Sequence, residues 1–261
     1  MSLKTRTATI AIGAATAYVG ALAAPAIAAP TGRIAFDVSS RSGDASSIYS
    51  VSADGTDLHR LTSRRGLAGR PIFTPDGSRI AFARGQTGQL WLMHDDGSNE
   101  RRLTDGDKTK FAYQWSPDGH KLLFDAILND NEDGQLRTAT RRGKVRNLTH
   151  TPARFAGASW SPDGDHIVYS KDVSGGGNYE IFTMDRNGSR NHRLTHDPGP
   201  DLAPAWSISG IVYAHHSAKR PRAKLMLKRI GQRRSVLATF RQSEPVRPMF
   251  SPIGERIAFL R

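Results

Sequence analysis

The sequence predicts an all-β chain, a β-propeller of four-stranded antiparallel blades. Three observations predict it. A short phrase recurs as PIFTPDGSRIAF from Pro71, YQWSPDGHKLLF from Tyr113, ASWSPDGDHIVY from Ala158, PAWSISGIVY from Pro204 and PMFSPIGERIAF from Pro248, with a truncated GRIAF from Gly32. Its turn position falls at Pro75, Pro117, Pro162, Ile208 and Pro252, between 42 and 46 residues apart. A period in the low to mid forties with several short strands per unit marks propeller blades. Finally, 38% hydrophobic and 8% aromatic residues suit strands that alternate inward and outward, not a disordered chain or a membrane bundle.

The second unit shows how one blade is built. Pro71-Ile72-Phe73-Thr74 reads as its first strand, and Pro75-Asp76-Gly77 as a turn. Proline presets φ, Asp caps the turn, and Gly takes the positive φ that other residues resist. Arg79–Phe82 is the second strand, Gly85 to Gly88 a hairpin, and Gln89–Met93 the third strand. Asp95 to Ser98 turns again, and Arg101-Arg102-Leu103-Thr104 is the fourth. The fourth strand recurs as Arg60-Leu61-Thr62, Asn147-Leu148-Thr149 and Arg193-Leu194-Thr195. Phe73, Trp115, Trp160, Trp206 and Phe250 share one repeat position, which points to packing between blades. The recurrent Asp76, Asp118 and Asp163 are turn residues spread around a ring, not a catalytic carboxylate pair.

The first 28 residues are different. Lys4 and Arg6 precede an Ala-rich, almost uncharged stretch that ends in Ala26-Ile27-Ala28. That is the layout of a cleaved secretory signal peptide, so residues 29–261 are expected as the mature, exported domain, periplasmic or extracellular, with no stable membrane span after cleavage. There is no cysteine, which excludes disulfides, thiolate metal sites and an N-terminal lipid-bearing Cys. The formal net charge of +13 favours anionic partners.

The units WSPDG at 115–119 and 160–164, each followed by an apolar strand and later by a Leu-Thr, resemble the TolB-type β-propeller repeats, a WD-like repeat. The resemblance covers residues 32 to 261 and implies the propeller alone, without the N-terminal α/β domain of TolB. It also implies six blades. The chain enters in the second strand of a unit at Gly32 and stops after the second strand of its sixth unit. Six blades, or five closed velcro-fashion by Phe250 and its neighbours, both fit that count. The fifth unit is irregular, with Ser207-Ile208-Ser209-Gly210 in place of Pro-Asp-Gly.

Loops between strands two and three and loops between blades share one face of a propeller. There the sequence places Arg64, Arg65, Arg70, Lys108, Lys110, His150, Arg154, His196, Asp197 and Asp201 as a candidate binding face. His150 and His196 follow Leu-Thr in successive blades, but two His without a third ligand do not define a metal site. Asn129 to Gly134 alternates oxygen ligands like a calcium loop, yet its twelfth position is Thr140 where an EF-hand has Glu. A basic run of Lys219, Arg220, Arg222, Lys224, Lys228, Arg229, Arg233 and Arg234 is a candidate docking patch for an anionic polymer. Gly-x-Ser-x-Gly, His-Glu-x-x-His and Walker motifs are all missing from the sequence. The sequence therefore reads as a non-catalytic exported scaffold, with no catalytic residues, metal or cofactor expected. Its partner would be an envelope protein or an anionic cell-wall polymer, with nucleic acid disfavoured and the oligomeric state open. The alternative is a propeller lyase or hydrolase acting on acidic polysaccharide.

Overall fold

The computed structural model describes residues 32–260, apart from 42, 64–65, 220–221, 230, 242–246 and 252–255. The expected signal peptide, and Arg64, Arg65 and Arg220 of the candidate sites, lie outside the described residues. Among those described, no helix is long and apolar enough to cross a membrane.

The chain forms successive antiparallel sheets. The first contains β1 (Arg33–Ser39), β2 (Ser46–Ser52) and β3 (His59–Arg60). The second contains β4 (Ala68–Phe73), β5 (Arg79–Arg84), β6 (Gln89–His94) and β7 (Arg101–Arg102). The third contains β8 (Lys110–Trp115), β9 (Lys121–Ile127), β10 (Gly134–Thr140) and β11 (Val145–Asn147). The fourth contains β12 (Phe155–Trp160), β13 (His166–Asp172), β14 (Tyr179–Asp185) and β15 (His192–Arg193). The fifth contains β16 (Asp201–Ser207), β17 (Gly210–His216), β18 (Ala223–Lys228) and β19 (Ser235–Phe240). The sixth is the pair β20 (Arg247–Phe250) and β21 (Ile257–Leu260). Phe250 faces Ile257 in that pair, so β20 pairs with the second strand of its own unit and is separate from the sheet of β1.

The Pro-Asp-Gly turn carries its own hydrogen bonds. The hydroxyls of Thr74, Ser116 and Ser161 each donate to the following Asp at 2.5 Å. The same Asp oxygens accept the N–H groups of Ser78, His120 and Asp165. Although burial works the other way at both, most strongly at Asp118, accepting these donors holds Asp118 and Asp163 below the usual carboxylate range. The turn aspartates are thus structural, as the sequence indicates.

The Leu-Thr phrase also has a mechanical reason. Thr62, Thr104, Thr149 and Thr195 accept the N–H of Ile48, Leu90, Leu136 and Ile181 at 2.9 to 3.0 Å. Each hydroxyl satisfies a third-strand donor where the short fourth strand has ended. Between sheets, the outer-hairpin glycines of the second, third and fourth sheets, Gly97, Gly143 and Gly188, lie against Leu61, Leu103 and Leu148 of the sheet before. A Cβ on Gly97 would stand 2.6 Å from the Leu61 carbonyl oxygen, and one on Gly188 2.3 Å from that of Leu148. No other residue fits that approach.

In the second to fifth sheets the second strands are largely buried on both faces, which explains their mainly apolar runs. Leu122 and Phe124 pack with Ile72, Leu90 and Leu92 of the second sheet, and Leu123 packs with Trp160 and Ile167 of the fourth. Trp115 and Trp160 are almost fully buried between neighbouring sheets. Trp206 and Phe250 fill the same role less completely, each packed against its cluster while half-buried.

Candidate functional site

First strands lie innermost, and each of β4, β8, β12 and β16 carries a bulge near its start. A bulge re-aims side chains and accepts unusual dihedrals. Arg70 and Ala203 sit in these bulges at φ 55° and 51°, and Gly157 at 112°. A Cβ on Gly157 would press to 3.0 Å of Ala203 Cα in the next bulge, so glycine is required there.

The bulge aims Arg70 into a charged group at the inner strands. Its N–H donates to Asp37 Oδ1 at 3.0 Å, and its guanidinium lies 4.6 Å from the centre of the Phe111 ring. Burial lowers the Arg70 pKa, with Asp37 opposing the shift and the charge of Arg247 adding to it. Arg247, at the start of β20, is likewise lowered by burial. Neither guanidinium makes an ion pair or a side-chain hydrogen bond among the described residues. Beside them, Tyr113 reaches Asp125 with its hydroxyl, and Asp125 Oδ1 is buried without a partner. Burial raises the Asp125 carboxyl from the ordinary 3.8 to about 7. Near neutral pH, then, the two arginines face less than a full countercharge from this carboxyl.

A second group sits at the same loop end, between the fourth and fifth sheets. Asp201 opens β16, is fully buried, and its Oδ1 lies 2.8 Å from His215 Nδ1 of β17. Glu180, the second residue of β14, is also fully buried, and accepts from Arg193 at 2.9 Å and from the Thr195 hydroxyl at 2.5 Å. The single Thr195 proton is within reach of Asp201 as well and can serve only one carboxylate. With that proton on Glu180, Asp201 Oδ2 has no partner, and burial raises the Asp201 pKa. The Tyr213 hydroxyl and His216 Nε2 are also buried without partners. Burial raises the Tyr213 phenol and lowers His216, which the charge of His215 lowers further.

The residues singled out in the sequence distribute unevenly over this face. Arg70 and Asp201 enter the two groups just described, and Asp197 offers a carboxylate oxygen within 4.8 Å of ligand atoms of Asp201 and His215. Lys108 is exposed, while Lys110 is buried and folds its Nζ onto the Lys108 carbonyl at 2.7 Å. His150 and His196 are both exposed, and Arg154 donates to the Asn131 carbonyl at 2.7 Å. In the basic run, Lys219, Arg222, Arg229 and Arg233 are exposed, and Lys224 and Lys228 half-buried. Arg234 forks both nitrogens onto Asp197.

Sequence reasoning missed Asp37, Tyr113, Asp125, Glu180, His215, His216 and Arg247. A signal was available: Asp125 and the His215-His216 pair each interrupt or end an otherwise apolar second strand.

Comparison with known proteins places the fold in context. The chain matches the TolB beta propeller domain over residues 3–178 and belongs to that family. It is 25% identical over 203 residues to the uncharacterized peptidase YuxL of Bacillus subtilis, covering 72% of this chain and 28% of that protein. It is 33% identical over 160 residues to the Tol-Pal system protein TolB of Anaeromyxobacter dehalogenans, covering 59% of this chain and 36% of that protein. The chain therefore spans well under half the length of these relatives. Among solved structures, TolB from Acinetobacter baumannii has a TM-score of 0.69 at 22% identity, over 87% of this chain and 57% of that one. An oligogalacturonate lyase in complex with manganese has a TM-score of 0.66 at 12% identity, over 83% of this chain and 65% of that one. At these identities the structures support the fold alone.

Proposed function

From membership of the TolB β-propeller domain family, we propose that this chain is an exported, non-catalytic scaffold that binds an acidic segment of an envelope protein at its loop face. One observation carries the reading. Arg70 and Arg247 are held half-buried at the inner strands with no carboxylate paired to either among the described residues. Desolvated guanidinium groups gain most from a planar anion such as a carboxylate, which accepts two parallel hydrogen bonds. The net charge of +13 would steer such a partner. The relative named as a Tol-Pal system protein supports an envelope setting.

The test is capture from crosslinked envelope extract by the parent chain and an Arg70→Ala/Arg247→Ala double variant, at low and high salt. A protein retained by the parent at high salt and lost by the variant supports the proposal. Capture unaffected by the double substitution sinks it. Retention of anionic wall polymer alone, released as salt rises, replaces it with charge-driven docking through the exposed basic run.

A second reading is a lyase or hydrolase acting on acidic polysaccharide. The likeness to the fold of an oligogalacturonate lyase favours it, as does a carboxyl raised to about 7 beside two arginines. Turnover of polygalacturonate by the parent chain, abolished in Asp125→Asn, would establish that reading.

A further inference from the structure

We propose that Asp197, Asp201 and His215 form a binding site for a divalent transition-metal ion at the loop face between the fourth and fifth sheets. Each offers one ligand atom, and these atoms lie within 4.8 Å of one another. Carboxylate oxygens and an imidazole nitrogen around one point are the donor set of zinc and manganese sites. Metal bonds of about 2.1 Å bring neighbouring ligand atoms to roughly 3–3.5 Å, so closure needs side-chain rotation on the scale of an ångström.

Separate observations point to a ligand rather than to a chance cluster. Asp201 is 0% exposed and keeps Oδ2 without a hydrogen-bond partner. Tyr213 is 1% exposed, its hydroxyl has no partner, and the charges of Asp201 and Glu180 both act on it. Unsatisfied buried polar atoms are costly in an otherwise well-paired fold, and a cation with its water ligands would serve both.

The surroundings suit an ion as well. Three carboxylates converge here, of which Glu180 is neutralised by Arg193 and Asp197 by Arg234. Among the described residues, the one ion-pair partner of Asp201 is the imidazole of His215. Arg234 holds Asp197 at the cluster, as an outer donor commonly holds a ligating carboxylate. Three protein ligands leave coordination positions open on the loop face for water or for a group of a bound partner.

The experiment titrates the full chain, stripped with chelator, with Mn²⁺ by electron paramagnetic resonance and with Zn²⁺ by calorimetry. The expected result is one saturable ion per chain, weakened about tenfold or more in Asp201→Asn and in His215→Ala. His120→Ala, at an exposed turn of the third sheet, should bind like the parent. Asp197→Asn, at a partly exposed position, provides the same test should the buried variants fail to fold. Saturating metal should also raise the melting temperature of the parent but not of a folded site variant. The proposal fails if the parent binds no ion saturably, or if parent and folded site variants bind with equal affinity.

Discussion

Equivalent positions at two sheet junctions carry opposite chemistry. Between the second and third sheets stand Gln89, Thr104 and Lys110; between the fourth and fifth stand Glu180, Thr195 and Asp201. At the first junction the bonds close locally. Thr104 donates to Gln89 at 3.1 Å, Gln89 donates to the Lys108 carbonyl, and Lys110 turns its ammonium to the same carbonyl. At the second, the same backbone positions bring two carboxylates together. Arg193 and His215 are drawn in, and one Asp201 oxygen is left unpartnered. The lesson is that the repeat fixes the frame, while single substitutions decide whether a junction is structural filling or a site.

The largest test of that comparison is aromatic truncation. Trp115→Ala, at the closed junction, should cost about 3–5 kcal/mol in urea unfolding. Trp206→Ala should cost less, because Trp206 is only half-buried. Equal losses would mean that the two junctions pack alike.

Titration extends the comparison to the inner strands, where Asp125 stands at the position that Ala83 holds in the second sheet. Its folded pKa of about 7 lies above the ordinary 3.8. A carboxyl raised on folding gives stability that is fully present below the unfolded pKa and lost as pH rises through the folded one. Stability should therefore fall from about pH 4 to 7, by a magnitude on the order of 4 kcal/mol for an isolated group. Tyr113 and Arg70 act on this carboxyl against burial and keep its rise smaller than burial alone would make it. Asp125→Asn should flatten the slope, and an unchanged slope would assign it to another group.

Next is an exchange at the charged junction. Glu180→Ala removes the buried carboxylate to which Arg193 and the Thr195 hydroxyl donate and should cost about 2–4 kcal/mol. Glu180→Gln recreates the Gln89–Thr104 arrangement and should stay within about 1 kcal/mol of the parent, since it also removes a charge beside Asp201. A Gln variant as unstable as the Ala variant would show that the charge itself is required.

The smallest effects belong to the turns. Asp118→Ala removes acceptors from Ser116 and His120 and should cost about 1 kcal/mol. In the corresponding turn of the fifth sheet, Ile208 holds the place of Pro117 and is 80% exposed, and Ile208→Asn should change stability by about 0.5 kcal/mol or less. Equal costs at both turns would undo the distinction between a turn held by a carboxylate and the Ser207–Ser209 turn, where the Ser209 N–H donates to Ser207 Oγ.

Much of the frame was legible in the sequence because its determinants are local. Pro-Asp-Gly closes its own hydrogen bonds, Leu-Thr caps a strand within one unit, and the periodic aromatics share one packing environment. The candidate sites were legible only in part. Arg70, Asp197 and Asp201 could be placed on the loop face by counting loops. Nothing local showed that Arg70 would lie near Arg247, or that His215 would turn its Nδ1 to Asp201. Those meetings depend on inner strands of different units converging and on bulges that re-aim side chains by one residue. The sequence by itself determined the family, the blade and its turns, because each repeat specifies itself through short-range bonds and a two-faced apolar strand. Only the tertiary structure decided which charges are buried together and left unpaired, because that depends on the packing of one sheet against the next.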